Sequence, residues 1–166
     1  MSGVEFVPNG PIEVRLVPRW RAVDPDGLDA FWTERPKLAG AVGCYVFAIG
    51  HSGGLKPLYV GQTTRSFKNE CFSANNQLRL NKALQARPGR LVLFLLAYDK
   101  RGPGALNKKA ITDLENALIG LAFRRNPDLI NKQGVGEPVW RIRGVLRSGV
   151  GKPSSAASEF SKTLGL

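Results

Sequence analysis

Histidine and cysteine are scarce in this chain: a single His51 and two cysteines, Cys44 and Cys71, stand among 166 residues. No CxxC spacing occurs, so a tetrahedral zinc site of Cys and His cannot be assembled. Both cysteines read as small buried apolar side chains. Long apolar runs are missing too. Nothing approaches the roughly 18 to 20 consecutive apolar residues of a membrane span. The start, "MSGVEFVPNGPIEV", lacks the basic lead and apolar core of a secretory signal. The expected setting is cytoplasmic, with no membrane. Acidic residues are also few, 13 against 24 Lys and Arg, which gives a net charge of +11. That surplus favours a polyanionic partner, nucleic acid foremost, over an acidic small molecule.

The charge is uneven. Residues 1 to 41 hold five basic and six acidic side chains, which leaves 19 basic and seven acidic, a net +12, for residues 42 to 166. A polyanion should therefore meet the chain after residue 41. The length suits one compact domain with extensions. We read residues 1–41 as an N-terminal arm, 42–134 as a core, and 135–166 as a basic strand followed by a C-terminal helix.

In the arm, "IEVRLV" is a candidate strand, "VDPDG" a loop and "GLDAFWTERP" a short helix. "AVGCYVFAI" and "PLYVGQ", joined by the Gly-rich "GHSGGLK", read as an antiparallel hairpin. A polar, partly helical stretch follows, "RSFKNECFSANNQLRLNKALQA". Pro88-Gly89 stops it before "RLVLFLLAY", which is apolar enough for a buried central strand. The expected fold is α/β: a small, mainly antiparallel three-stranded sheet at residues 42–49, 57–61 and 90–98, flanked by helices. "VWRIRGVLRSG" alternates apolar and basic residues as a strand with one charged face would, and "KPSSAASEFSKTLGL" reads as a capped helix with Phe160 and Leu164 on one side.

The most periodic segment is the predicted helix near residues 106–124. At about 100° per residue, Ile111, Leu114, Leu118, Ile119, Leu121 and Ala122 fall on one arc, and Glu115 falls inside it. An unpaired carboxylate facing the protein body costs several kcal/mol. Two compensations are open: an ion pair with an arginine, or a metal ion at the edge of the core.

The order of hairpin, helix, strand, helix with an inward glutamate, and Asn-bearing turn resembles the GIY-YIG nuclease family. The naming motifs stand as "GCY" at 43–45 and "YVG" at 59–61, and the likeness runs on through "DLENALIGLAFRRNPDLINKQG", covering about residues 42–133. The resemblance implies a metal-dependent endonuclease that hydrolyses DNA. Tyr45 and Tyr59 would lie together beside the scissile phosphate, one of them a phenol of lowered pKa that relays a proton. Glu115 would hold one Mg²⁺ or Mn²⁺ ion, a Lewis acid on the phosphate. Gly61 would let the backbone approach the substrate, and Asn131 would support the site by hydrogen bonding. The family's first-helix arginine, about ten residues after the second tyrosine, has no counterpart in "KNECFS". Arg65 and Lys68 are the cations expected to reach the phosphate instead. Arg124, Arg125, Arg141, Arg143 and Arg147 form the expected basic rim for DNA. The competing reading is a nucleic-acid-binding module on a catalytically lapsed core.

Overall fold

The computed structural model describes residues 3–101, 103–131, 140–146 and 151–166. In chain order its elements are β1 (Val4–Val14), β2 (Leu16–Val17), β3 (Ala22–Val23), α1 (Leu28–Thr33), α2 (Pro36–Ala39), β4 (Gly43–His51), β5 (Gly54–Thr63), α3 (Phe67–Glu70), α4 (Ala74–Gln85), β6 (Arg90–Asp99), α5 (Lys108–Arg125), β7 (Trp140–Ile142) and α6 (Ser155–Leu164). The fold is α/β. Among the described residues the main sheet has five strands in the order β5-β4-β6-β1-β7, not three. Neighbours pair antiparallel except β1 and β7, which run parallel.

The two added strands come from the segments expected to be extensions. β1 is not an arm, because Glu5–Asn9 and Ile12–Val14 pair along β6 from Glu5↔Asp99 to Val14↔Leu91. Pro8, Gly10 and Pro11 disguise it in the sequence. Proline cannot donate to a ladder and is confined to bulges and open strand sides. Both conditions hold here: the register slips between Asn9 and Ile12, and among the described residues only Val4–Phe6 are paired on the β7 side. The charged-face strand after residue 139 is short. Trp140–Ile142 forms β7 and residues 143–145 turn away, while Arg147 lies outside the described residues.

β4 and β6 lie in the interior of the sheet with helices on both faces. That is why "GCYVFAI" and "LVLFLL" read as continuous apolar runs rather than alternating ones. Odd and even positions part company at the backbone. Cys44, Val46 and Ala48 face α5 and α6, whereas Tyr45, Phe47 and Ile49 face α4 and the aromatic cluster of Phe31, Trp32 and Phe72. α5 buries Ile111, Leu114, Leu118, Ile119 and Ala122, as its periodicity predicts, and its N-terminus is capped by Asn107 accepting from the Ala110 N–H. α6 buries Phe160 and Leu164 on the same face and is capped by Ser154.

Candidate functional site

Hairpin register places Tyr45 opposite Gly61 and Phe47 opposite Tyr59. The two phenols therefore share the α4 face, with ring centroids 6.2 Å apart and planes tilted by 44°. Gly61 makes this possible: a Cβ there would stand 2.3 Å from Tyr45 Cζ and 2.4 Å from its hydroxyl. The space beside Gly61, expected to admit substrate, is taken by the Tyr45 ring. Gly43 is equally constrained. Its φ is +143°, and a Cβ would lie 2.1 Å from the Leu96 carbonyl oxygen.

Tyr45 is 1% exposed. Its hydroxyl accepts from Asn76 Nδ2 at 2.8 Å, and the same amide donates to the Glu70 carbonyl at 2.9 Å. Burial, reinforced by the neighbouring Tyr59, pushes the Tyr45 phenol far above its ordinary range. This is opposite in sign to the lowered pKa expected of one member of the pair, so Tyr45 is a neutral, fixed group. Tyr59 differs: its hydroxyl accepts from Arg79 Nη1 at 3.3 Å, and Arg79 is exposed on α4.

Arg79 is the residue that sequence reasoning missed. It stands 20 residues after Tyr59 because the polar stretch is two helices, not one. α3 lasts one turn, and Ser73 then caps a second helix by accepting from the Asn76 N–H. Asn76, Leu80 and Leu84 recur every four residues on the buried face of α4, and Arg79 stands at its margin. A serine followed by a polar head on an apolar i, i+4, i+8 stripe was the available signal. The expected substitutes stand elsewhere. Arg65 pairs with Glu70 at 3.1 Å, and Lys68 is exposed on α3.

Glu115 projects from α5 on the other face of the sheet, half-buried. Burial raises its carboxyl above the ordinary range, against the effect of a hydrogen bond from Gln62. Thr112, one turn earlier, accepts from the same Gln62 amide at 3.3 Å. No ion pair to Glu115 occurs among the described residues. Between the two faces runs the outer edge of β5. Asn131 closes it, accepting from Val60 N at 3.1 Å and donating to Val60 O at 2.6 Å, as a strand residue would. Asn126 Nδ2 donates to Pro57 O at 2.8 Å, and Ile130 N to Leu58 O at 3.0 Å. The structure thus brings Tyr45, Tyr59, Asn76 and Arg79 together on one side of the edge, and Gln62 and Glu115 on the other. Among the described residues no group of three or more His, Cys, Asp or Glu side chains could hold a metal ion. Glu115 offers a single carboxylate.

The expected basic rim is divided. Arg141 and Arg143 both pair with the buried Glu5, the former at 2.7 Å, and Arg143 also reaches Asp99 at 2.9 Å. Burial pushes the Glu5 carboxyl up, but the hydrogen bonds from Arg143 and Arg141 outweigh it and hold it below the usual range. These two arginines of the expected rim neutralise an internal acid and remain partly exposed. Arg124 and Arg125 are exposed in the last turn of α5, where they complement the helix dipole. Among the described residues, no helix is long and apolar enough to cross a membrane.

Compared with known proteins, the chain matches no family model, no curated protein and no solved structure.

Proposed function

We propose that this chain is a metal-dependent endonuclease that hydrolyses DNA phosphodiester bonds at the edge of β5, in the manner of the GIY-YIG nucleases it resembles. The observation that carries the reading is the Arg79 guanidinium on the Tyr59 hydroxyl, which supplies the cation missing from "KNECFS". One N–H of Arg79 orients the phenol, and the remaining donors of the planar fork suit phosphoryl oxygens. Tyr45, locked by Asn76, serves as the wall against which Tyr59 is held. The +12 charge of residues 42 to 166 draws the polyanion in.

Glu115 fits a divalent ion whose other ligands are water and phosphate oxygens: it is desolvated, it lacks a cationic partner among the described residues, and Gln62 orients it. Such an ion would polarise the phosphoryl group and stabilise the leaving oxygen. A DNA strand meeting both halves of the site has to cross the β5 edge between Tyr59 and Gln62, about 10 Å of strand.

The second reading, a nucleic-acid-binding module without hydrolysis, is favoured by one feature: Tyr59 and Glu115 flank β5 on opposite faces. Supercoiled plasmid and single-stranded DNA, each with Mg²⁺, Mn²⁺ and chelator, separate the two. The endonuclease nicks in metal only, and Arg79→Ala lowers the rate by about 100-fold or more. Salt-sensitive binding without cleavage in either metal leaves the module reading in its place.

A further inference from the structure

We propose that the β2–β3 hairpin is a base-stacking element: Trp20 at its tip receives an unpaired base of the nucleic-acid strand engaged by Arg79. This rests on the nucleic-acid reading above and narrows it to substrates with an unpaired region.

Three tryptophans occur in the chain, and two are core residues: Trp32 is 4% exposed and Trp140 5%. Trp20 is 63% exposed. A single exposed aromatic needs no explanation by itself, but this one is displayed on a braced support. The register Leu16↔Val23 and Val17↔Ala22 leaves Pro18, Arg19, Trp20 and Arg21 as the loop, closed by Trp20 N donating to Val17 O at 3.3 Å. Arg21 sits at φ 48°, a region that non-glycine residues seldom enter. Its guanidinium donates to three carbonyls at the end of α4, those of Leu84 at 3.1 Å, Arg87 at 2.7 Å and Gly89 at 2.9 Å. The Leu84 carbonyl lies in the last turn of α4 and those of Arg87 and Gly89 just beyond it, so this clamp fixes the hairpin to the end of the helix. Val23 N adds a bond to Asn81 Oδ1 at 2.9 Å, and Arg15 pairs with Asp24 at 2.9 Å at the hairpin base.

The indole is therefore fastened to the helix that carries Arg79. From Arg79 to Leu84 is about 7.5 Å of helix axis, the rise of roughly two stacked nucleotides. Arg19 stands 5.5 Å from the Trp20 ring centroid and adds a positive charge beside it. An aromatic face with adjacent cations on a rigid mount matches the platforms that hold single strands, where stacking tolerates any base.

Tryptophan emission tests this directly, because Trp20 is the exposed tryptophan. The full chain is titrated at low salt with a short oligothymidylate, a blunt duplex of equal length, and heparin, a polyanion without bases. Oligothymidylate should quench the emission and heparin should not. Trp20→Ala should weaken oligothymidylate binding by about 5- to 100-fold, leave heparin binding unchanged, and fold normally; Trp20→Phe should retain most of the affinity. Equal quenching by heparin, or an alanine variant that binds oligothymidylate as wild type does, overturns the stacking role. Duplex binding without any oligothymidylate quenching removes the stacking role and spares the nucleic-acid reading. Failure of all three ligands to bind removes both.

Discussion

Replacing Gly61 by alanine adds one methyl group at the most crowded contact of the candidate site. The new Cβ would lie 2.3 Å from Tyr45 Cζ, where carbon atoms normally rest about 3.5 to 4.0 Å apart. Something has to move by more than about 1 Å. The Tyr45 ring cannot retreat freely, since Phe47 stands 5.9 Å and Tyr59 6.2 Å away between ring centroids. Overpacking of this kind costs about 1 to 3 kcal/mol. Displacing the ring also breaks the Asn76 hydrogen bond, roughly another 0.5 to 1.5 kcal/mol. Together the loss is about 1.5 to 4.5 kcal/mol, or a fall in Tm of roughly 3 to 18 °C for a chain of this size. Differential scanning calorimetry on Gly61→Ala, Tyr45→Leu and the double variant measures it. Leucine ends before the position of Cζ, so the alanine penalty should largely vanish in that background. A melting temperature unchanged in Gly61→Ala, or a penalty that simply adds to that of Tyr45→Leu, would show that the close approach is not what requires glycine.

Glu5→Gln removes the acid shared by Arg141 and Arg143 and should destabilise the fold by about 1 to 3 kcal/mol at neutral pH, discounted because both arginines are partly exposed. The Glu5 carboxyl is held low in the folded state, so its contribution is present above the unfolded carboxylate range and is lost as pH falls through the folded pKa. Chemical denaturation of wild type and variant should converge in acid; a constant difference across pH would refute the charge argument. Glu115 has the opposite sign. Its carboxyl is raised by burial, so ionising it weakens the fold as pH climbs from the unfolded carboxylate range to the raised value. In chelator, Glu115→Gln should match wild type in acid and exceed it in stability at neutral pH. A less stable variant at neutral pH would mean that the charge has a partner.

The parts legible in the sequence were those set by local periodicity. The α5 arc and the inward Glu115 follow from residues three and four apart, and the β4–β5 pair follows from two apolar runs around a Gly-rich turn. What escaped depends on distant partners. Arg141 reads as a rim cation until Glu5 is placed beside it from 136 residues away. β1 hides behind its prolines, because the bulge that tolerates them exists only once β6 is alongside. Arg79 was hidden by a short-range fault, the unnoticed helix break at Ser73. Even a correct α4 would not have shown it touching Tyr59, since that contact depends on how α4 crosses the sheet.

The placement of β1 also bears on the order in which the chain can fold as it is made. β1 is synthesised before both of its partners: the antiparallel one begins only at Arg90 and the parallel one at Trp140. During that interval the β4–β5 hairpin, closed by a two-residue turn, can form from contacts near in sequence. β1 pairs through loops of more than 70 residues, which is slow because the closure entropy comes before the contacts that offset it. Until β1 docks, β6 presents an open row of N–H and C=O groups along six consecutive buried apolar residues, Leu91 to Leu96. That is a template for pairing with another copy. An earlier strand is thus the guard of a later one, and a chain shortened to begin at residue 42 would lose it.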